Sequence, residues 1–227
     1  MKFSCEKILL QSAVNTASRA VSAKSSIPAL EGVLIQAGTQ LTISGYNMQT
    51  GIRTNLEADV TEEGSLVLPA RLFGEIIRRL PDDVVTFSSA QDLTVTLTCG
   101  DASFNILALS AEDYPDLPEV EDQYSVHIQQ KTLRSMIGET SFAVSTDEVR
   151  PIHTGSLFEI EEKNLTVVSV DGFRLALRRE ALESAMGGSF HFVAPGSALN
   201  EVEKICEDTE EQAVITLGNR HLLFEVG

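Results

Sequence analysis

Cationic side chains are scarce in this chain, with 17 Lys and Arg against 33 Asp and Glu among 227 residues, so the places where they gather are the first candidates for chemistry. Arg71 and Arg78 stand seven residues apart in the run Ala70 to Leu80, with Arg79 adjacent. On a helix that spacing puts them on one stripe, away from the apolar face formed by Phe73, Ile76, Ile77 and Leu80. Two readings stand: a small positive ridge, or a solvated helix face on which Glu75 is the ion partner. Lys24 lies in a Ser-rich loop, where lysine and hydroxyls together can approach a phosphate backbone. The third feature is Ser169-Val170-Asp171-Gly172-Phe173-Arg174-Leu175-Ala176, a strand entering and leaving an Asp-Gly turn. It is either a hairpin alone or a surface where Phe173 and Leu175, beside Arg174, meet a peptide with aromatic or aliphatic anchors.

Other chemistry finds no candidate residues. His127, His153, His191 and His221 are scattered, with no HExxH and no second ligand at helical spacing. There is no G-x-S-x-G elbow, P-loop or G-x-G-x-x-G, and Gly187-Gly188 reads as an isolated loop. Acid pairs such as Asp82-Asp83 and Glu161-Glu162 adjoin turns, where charge is usually solvated. Cys5, Cys99 and Cys206 are far apart and read as buried or half-buried thiols. The expectation is a non-catalytic protein with no metal and no cofactor.

The elements that position these residues come from a tandem duplication. Adding 123 to the residue number carries Leu10, Ser12, Ser18, Ala20, Val21, Ser22, Pro28, Gly32 and Leu34 onto identical residues, nine identities in twenty-five ungapped positions. Leu10, Val14, Ala17 and Val21 form an amphipathic helix stripe, repeated by Leu133, Ile137, Thr140 and Val144. A Ser-rich loop closing on Pro28 or Pro151 follows. Runs such as Val33 to Ala37, Leu41 to Ser44 and Ile52 to Val60 then read as strands. Pro69 and Pro195 open a second helix, whose buried face is Phe73, Ile76, Ile77 and Leu80 in one copy and Leu199, Val202, Ile205 and Cys206 in the other. Strands Val84 to Ser88 and Leu93 to Cys99 follow in the first copy. The fold class is therefore α+β, each unit placing two helices on one face of antiparallel sheet. Residues 1–124 are expected to form the first domain, ending in the acidic linker Glu112 to Asp122, and residues 125–227 the second, without its last strand and exit linker.

Net charge is −16 and the isoelectric point is near 4.6, which excludes a broadly basic nucleic-acid clasp. The halves carry −9 (residues 1–124) and −7 (residues 125–227), so any positive field must be local. No apolar run approaches the roughly 20 residues needed to span a bilayer, and an acid at Glu6 leaves no secretory signal, so the expected location is cytoplasmic with no membrane partner.

Ile27-Pro28-Ala29-Leu30-Glu31-Gly32-Val33-Leu34-Ile35, Thr146-Asp147-Glu148-Val149-Arg150-Pro151-Ile152-His153-Thr154-Gly155 and Asp171-Gly172-Phe173-Arg174-Leu175-Ala176, with Pro69-Ala70-Arg71-Leu72-Phe73 and Asp113-Tyr114-Pro115, closely resemble the bacterial sliding clamps, the β subunits of DNA polymerase III. The resemblance implies tandem DNA-clamp domains, matched here for the first and most of the second, with the third clamp domain absent. It implies a full-length ring homodimer that encircles double-stranded DNA without sequence preference and confers processivity on the polymerase. By the same resemblance Lys24 touches DNA, and Arg71, Arg78 and Arg79 lie on a hole-facing helix. Pro195-Gly196-Ser197-Ala198 stands where relatives begin the fourth helix with lysine, and Glu201, Glu203 and Glu207 follow. The DNA polymerase III α subunit, the clamp loader and other proteins with clamp-binding motifs are implied to dock through short peptides at Val170, Gly172, Phe173, Arg174 and Leu175. His153 stands there where relatives often have leucine, and Val170 where threonine is frequent; weak peptide binding is expected. A second class of reading is an autonomous peptide-binding adaptor that does not encircle DNA, favoured if Lys24 and the arginine stripe face opposite ways.

Overall fold

A computed structural model describes residues 1–120, 124–183 and 188–227. Gly187 and the linker residues Glu121 and Asp122 lie outside the described residues. The chain forms two compact units, Met1–Leu117 and Pro118–Gly227.

In the first unit, β1 (Lys2–Glu6) runs into α1 (Lys7–Ser18), whose Leu10, Ala13, Val14 and Ala17 are buried. The apolar stripe forms the helix by giving it a face to bury. Val21, the fourth member of the sequence stripe, lies past the helix end, where its N–H bonds to the Ser18 carbonyl and its side chain still packs partly buried on the core. A 3-10 turn at Pro28–Glu31 leads to β2 (Gly32–Ala37), β3 (Leu41–Tyr46) and β4 (Gly51–Leu56). The run read as one strand from Ile52 to Val60 is two. Glu57 and Ala58 carry the chain from β4 in one sheet to β5 (Asp59–Glu62) in the other, and β-branched residues supply both.

Next come β6 (Gly64–Pro69) and α2 (Ala70–Arg79). Pro69 caps α2, where a missing N–H costs nothing. Pro81 ends it by forcing Leu80 to an extended ψ of 151°. Strands β7 (Val84–Ser89), β8 (Thr94–Cys99), β9 (Ala102–Leu107) and β10 (Leu109–Ser110) complete the unit. The sheets are antiparallel, ordered β5-β1-β7-β8-β9 and β10-β6-β2-β3-β4. Helix α1 packs on β3 and β4, and α2 on β2 and β6, so both cover one face of the second sheet. Leu10, Phe73 and Ile77 are at 0% exposure beneath them, each contributing about 1.5–3 kcal/mol over an exposed position.

The second unit repeats this order with β11 (Tyr124–Gln129), α3 (Gln130–Ser141), β12 (Gly155–Glu161), β13 (Asn164–Val170), β14 (Leu175–Ala181), β15 (Ser189–Pro195), α4 (Gly196–Ile205), β16 (Gln212–Leu217) and β17 (Leu222–Val226). Its sheets are ordered β14-β13-β12-β15 and β11-β16-β17. Leu133, Ile137, Leu199, Val202 and Cys206 are buried as the duplicated stripes require. Thr140 sits among them because its hydroxyl donates to the Met136 carbonyl at 2.7 Å. All three cysteines are buried, and burial pushes the Cys5 thiol up to about 12 and the Cys206 thiol up to about 11.

Both units close their helix pair in one way. The Lys7 N–H donates to the Asp83 carbonyl at 3.1 Å and its ammonium meets Asp82 at 2.7 Å, tying the start of α1 to the end of α2. Lys131 repeats this with the Thr209 carbonyl at 3.1 Å and Glu210 at 2.6 Å. The two helices of each pair are therefore antiparallel.

Candidate functional sites

The helix pair of the first unit carries the cationic candidates. Because α1 and α2 run antiparallel, Arg71 at the start of α2 lies toward the α1 C-terminus, from which the Lys24 loop departs. Arg78 and Arg79 lie two turns on, about 10 Å along the axis. Arg71, Arg78, Arg79 and Lys24 are all exposed. Arg71 is 94% exposed and its contact with Glu75 is a long 3.5 Å, so the pairing open from the sequence exists but leaves the guanidinium in water. Arg78 and Arg79 occupy the last turn of α2, where positive charge also offsets the helix dipole. The Lys24 loop is shaped by three local bonds: Ser22 N–H to the Leu30 carbonyl, Ser25 N–H to the Glu31 carboxylate and Ile27 N–H to the Ser25 hydroxyl.

Sequence reasoning passed over two helix-face cations. Arg19 completes the exposed α1 stripe with Ser12 and Asn15, one residue past the helix end, and Arg134 is exposed on α3 at the position duplicating Gln11. The stripe spacing could have found both. The helix pair of the second unit is less positive: Lys131 is held by Glu210, whose carboxyl that contact keeps below its usual range, and Lys204 lies 2.6 Å from Glu201. Asp147 takes the place of Lys24 in the duplicated loop.

The peptide candidates collect at one end of the β14-β13-β12-β15 sheet. Val170 pairs with Leu175 as the last rung of β13 and β14, and His153 lies two residues before β12 begins at that same end. Between the strands, the Asp171 N–H donates to the Arg174 carbonyl at 3.2 Å and Gly172 adopts φ +92°, which its missing Cβ permits. One Asp171 oxygen accepts the N–H groups of Phe173 and Arg174 at 2.9 Å each, and the other accepts the Arg174 guanidinium at 2.8 and 3.0 Å. Those bonds to the charged form lower the Asp171 carboxyl to about 2. Locked in this way, Arg174 lies 5.8 Å over the Phe142 ring. Phe173 is 98% exposed and Leu175 65%. The tip is thus a preorganised backbone presenting bare apolar side chains, with His153 and Val170 half-buried beside it. Among the described residues no three His, Cys, Asp or Glu side chains gather as a metal site, and no helix is long and apolar enough to cross a membrane.

An antiparallel helix pair laid on antiparallel sheet, made twice by a duplicated sequence, defines the DNA-clamp class of α+β proteins. The description of the DNA polymerase III beta subunit N-terminal domain matches residues 1–118, and that of its central domain matches residues 127–227. The beta sliding clamp of Bacillus subtilis is 34% identical over 234 residues, and that of Halalkalibacterium halodurans 34% over 238. The alignments cover 99% and 100% of this chain, which spans 62% of the length of each relative. Among solved structures, the B. subtilis sliding clamp superposes with a TM-score of 0.95 at 33% identity, covering all of this chain and 62% of that one. A Pseudomonas aeruginosa clamp bound to griselimycin gives 0.92 at 25% identity with the same coverage. This chain belongs to the DNA polymerase III beta subunit family.

Proposed function

We propose that the chain is the DNA-tracking and partner-docking part of a sliding clamp, which confers processivity on the replicative polymerase without catalysing a reaction. Residues 1–124 and 125–227 are its first two clamp domains. The observation that carries the reading is the concentration of exposed cations on α2 and in the segment just past α1, in a protein whose net charge is −16. A ring holds duplex DNA by topology, so a few non-specific phosphate contacts suffice, and an acidic outer surface keeps DNA from adhering elsewhere. Lys24, Arg71, Arg78 and Arg79 make those contacts, chiefly from the first domain. The Asp171–Arg174 turn, with His153, Val170 and Leu175, receives short peptides of the polymerase α subunit, the clamp loader and other clamp-binding proteins. The complete protein works as a ring homodimer in the cytoplasm.

The test uses the complete gene product loaded on circular duplex DNA. Retention on circles with loss after linearisation supports encirclement; equal loss from both forms contradicts it.

A further inference from the structure

Within the second unit, the strand and turn that carry the docking candidates are tied to helix α3 at two points. Ser135, Glu139 and Phe142 stand four and three residues apart, a single stripe that runs along α3 and ends one residue past it. Arg178 lies on β14 and Arg174 just before it, and the two reach that same stripe. The Arg178 guanidinium donates to the Glu139 carboxylate, which also accepts the Ser135 hydroxyl at 2.7 Å. At the far end of the stripe, the centre of the Phe142 ring lies 5.8 Å from the Arg174 guanidinium carbon.

The backbone of the turn needs neither contact, as its duplicate in the first unit demonstrates. An offset of 124 carries Val170–Leu175 onto Tyr46–Gly51, and Tyr46 pairs with Gly51 as Val170 pairs with Leu175. The Asn47 N–H donates to the Thr50 carbonyl at 3.2 Å, and its side-chain oxygen accepts the N–H groups of Gln49 and Thr50 at 3.0 and 2.7 Å. Those are the bonds that Asp171 makes. Yet Thr50 and Thr54 stand at the places of Arg174 and Arg178, and, by the offset of 123 that relates the helices, Thr16 and Arg19 stand at those of Glu139 and Phe142. The same turn therefore closes with neither pair. What the pair at Arg174 adds is order in a long side chain: two bonds to the second Asp171 oxygen fix the guanidinium in its plane, and the ring fixes it from one face. The entropy of ordering that side chain is then lost on folding and not when a peptide arrives.

We propose that Phe142 is a positioning residue for peptide docking: its ring holds the Arg174 guanidinium against α3 and so keeps the Asp171–Arg174 turn in its receiving arrangement before a short peptide arrives. This rests on reading the turn as a docking element. Phe142 acts through Arg174 and needs no contact with the peptide itself. The Glu139–Arg178 pair is the second anchor, holding β14 to the same helix one turn back along α3.

The probe is a fluorescein-labelled peptide carrying the clamp-binding segment of the same organism's polymerase III α subunit, titrated by anisotropy against the complete gene product. Phe173→Ala with Leu175→Ala tests the premise: if this variant binds the probe as tightly as the unchanged protein, the docking reading fails and the proposal with it. Phe142→Leu keeps apolar bulk and removes the ring. It should bind the probe about three- to fivefold more weakly, the range of a cation–π contact at an accessible site, while Phe142→Tyr, which keeps the ring, should stay within about 1.5-fold. The Arg174 Nε–H resonance, recorded without peptide, should move in the leucine variant and hold its place in the tyrosine variant, a signature that a general loss of stability would not give. A Phe142→Leu protein that binds the probe like the unchanged one, or a tyrosine variant as weak as the leucine variant, overturns the proposal while the double-alanine result leaves the docking reading standing. Loss of the second unit's fold in Phe142→Leu also overturns it, because the ring then holds the core and not the turn.

Discussion

Helix α1 is seated on its sheet by a close approach at Gly45, and Gly45→Ala tests whether that seat positions the cationic helix pair. A Cβ at Gly45 would lie 2.0 Å from the Ala17 carbonyl oxygen and 2.9 Å from its carbon. Both are backbone atoms of α1, so relief requires α1 to lift by about 1.4 Å to reach ordinary contact at 3.4 Å. Such a gap forfeits at least about half of the dispersion energy under Leu10, Val14 and Ala17, which are at 0–1% exposure. Overpacking of this kind costs about 1–3 kcal/mol. With roughly 4 °C lost per kcal/mol in a domain of this size, the first unit's transition should fall by about 4–12 °C. The second unit already carries Ser169 there, its hydroxyl bonded to Ser156 at 2.7 Å, so Ser169→Ala changes no steric contact of this kind. Calorimetry of the whole chain resolves the outcome, with duplex binding measured alongside. A fall of less than about 2 °C in the first unit would show that α1 is not seated on its sheet through Gly45.

At the docking turn, Phe173→Ala should leave stability within about 0.5 kcal/mol, because an almost fully exposed ring has no packing to lose. It should also weaken a clamp-binding peptide by about 2 kcal/mol, some thirtyfold, which titration calorimetry checks. The turn itself should resist acid. Asp171 has a folded pKa of about 2 against roughly 3.9 unfolded, so its contribution to stability is complete above pH 4, declines between 4 and 2, and is lost as pH falls through 2. Amide shifts of Phe173 and Arg174 should therefore titrate near pH 2, and a midpoint at 4 would show that the bonds to Asp171 do not persist in solution.

Much of this arrangement was legible because buried faces leave periodic traces. The stripes Leu10, Val14, Ala17 and Leu133, Ile137, Thr140 recur at helical spacing, and duplication supplied an independent check on each. Period fails where the partner surface changes. Ile52 to Val60 stays β-branched across a switch between sheets, and the break at Glu57-Ala58 has no glycine or proline to mark it. The Asp171–Arg174 turn was visible through its Asp-Gly pair; a turn between Leu41–Ser44 and Ile52–Val60 was expected too, but Asn47-Met48 carries no sign that the Asn47 side chain ties that turn as Asp171 ties the other. Tyr114 and Leu117 were hidden in a charged context: six acids and two prolines between Glu112 and Asp122 suggest a solvated linker, yet two apolar side chains are enough to anchor its first half. The exposure of Arg71 beside Glu75 was a matter of geometry, which residue types alone left open.

The proposed function requires the first unit's helix pair to supply the phosphate contacts. The direct measurement is the salt dependence of duplex DNA affinity for the unchanged protein and for Arg71→Gln, Arg78→Gln, Arg79→Gln combined. Each phosphate contact contributes about 0.9 to the slope of log K against log salt, so the triple change should reduce its magnitude by about 2.7. A slope altered by less than about 0.5, or altered more by Lys131→Gln with Arg134→Gln, would contradict the claim.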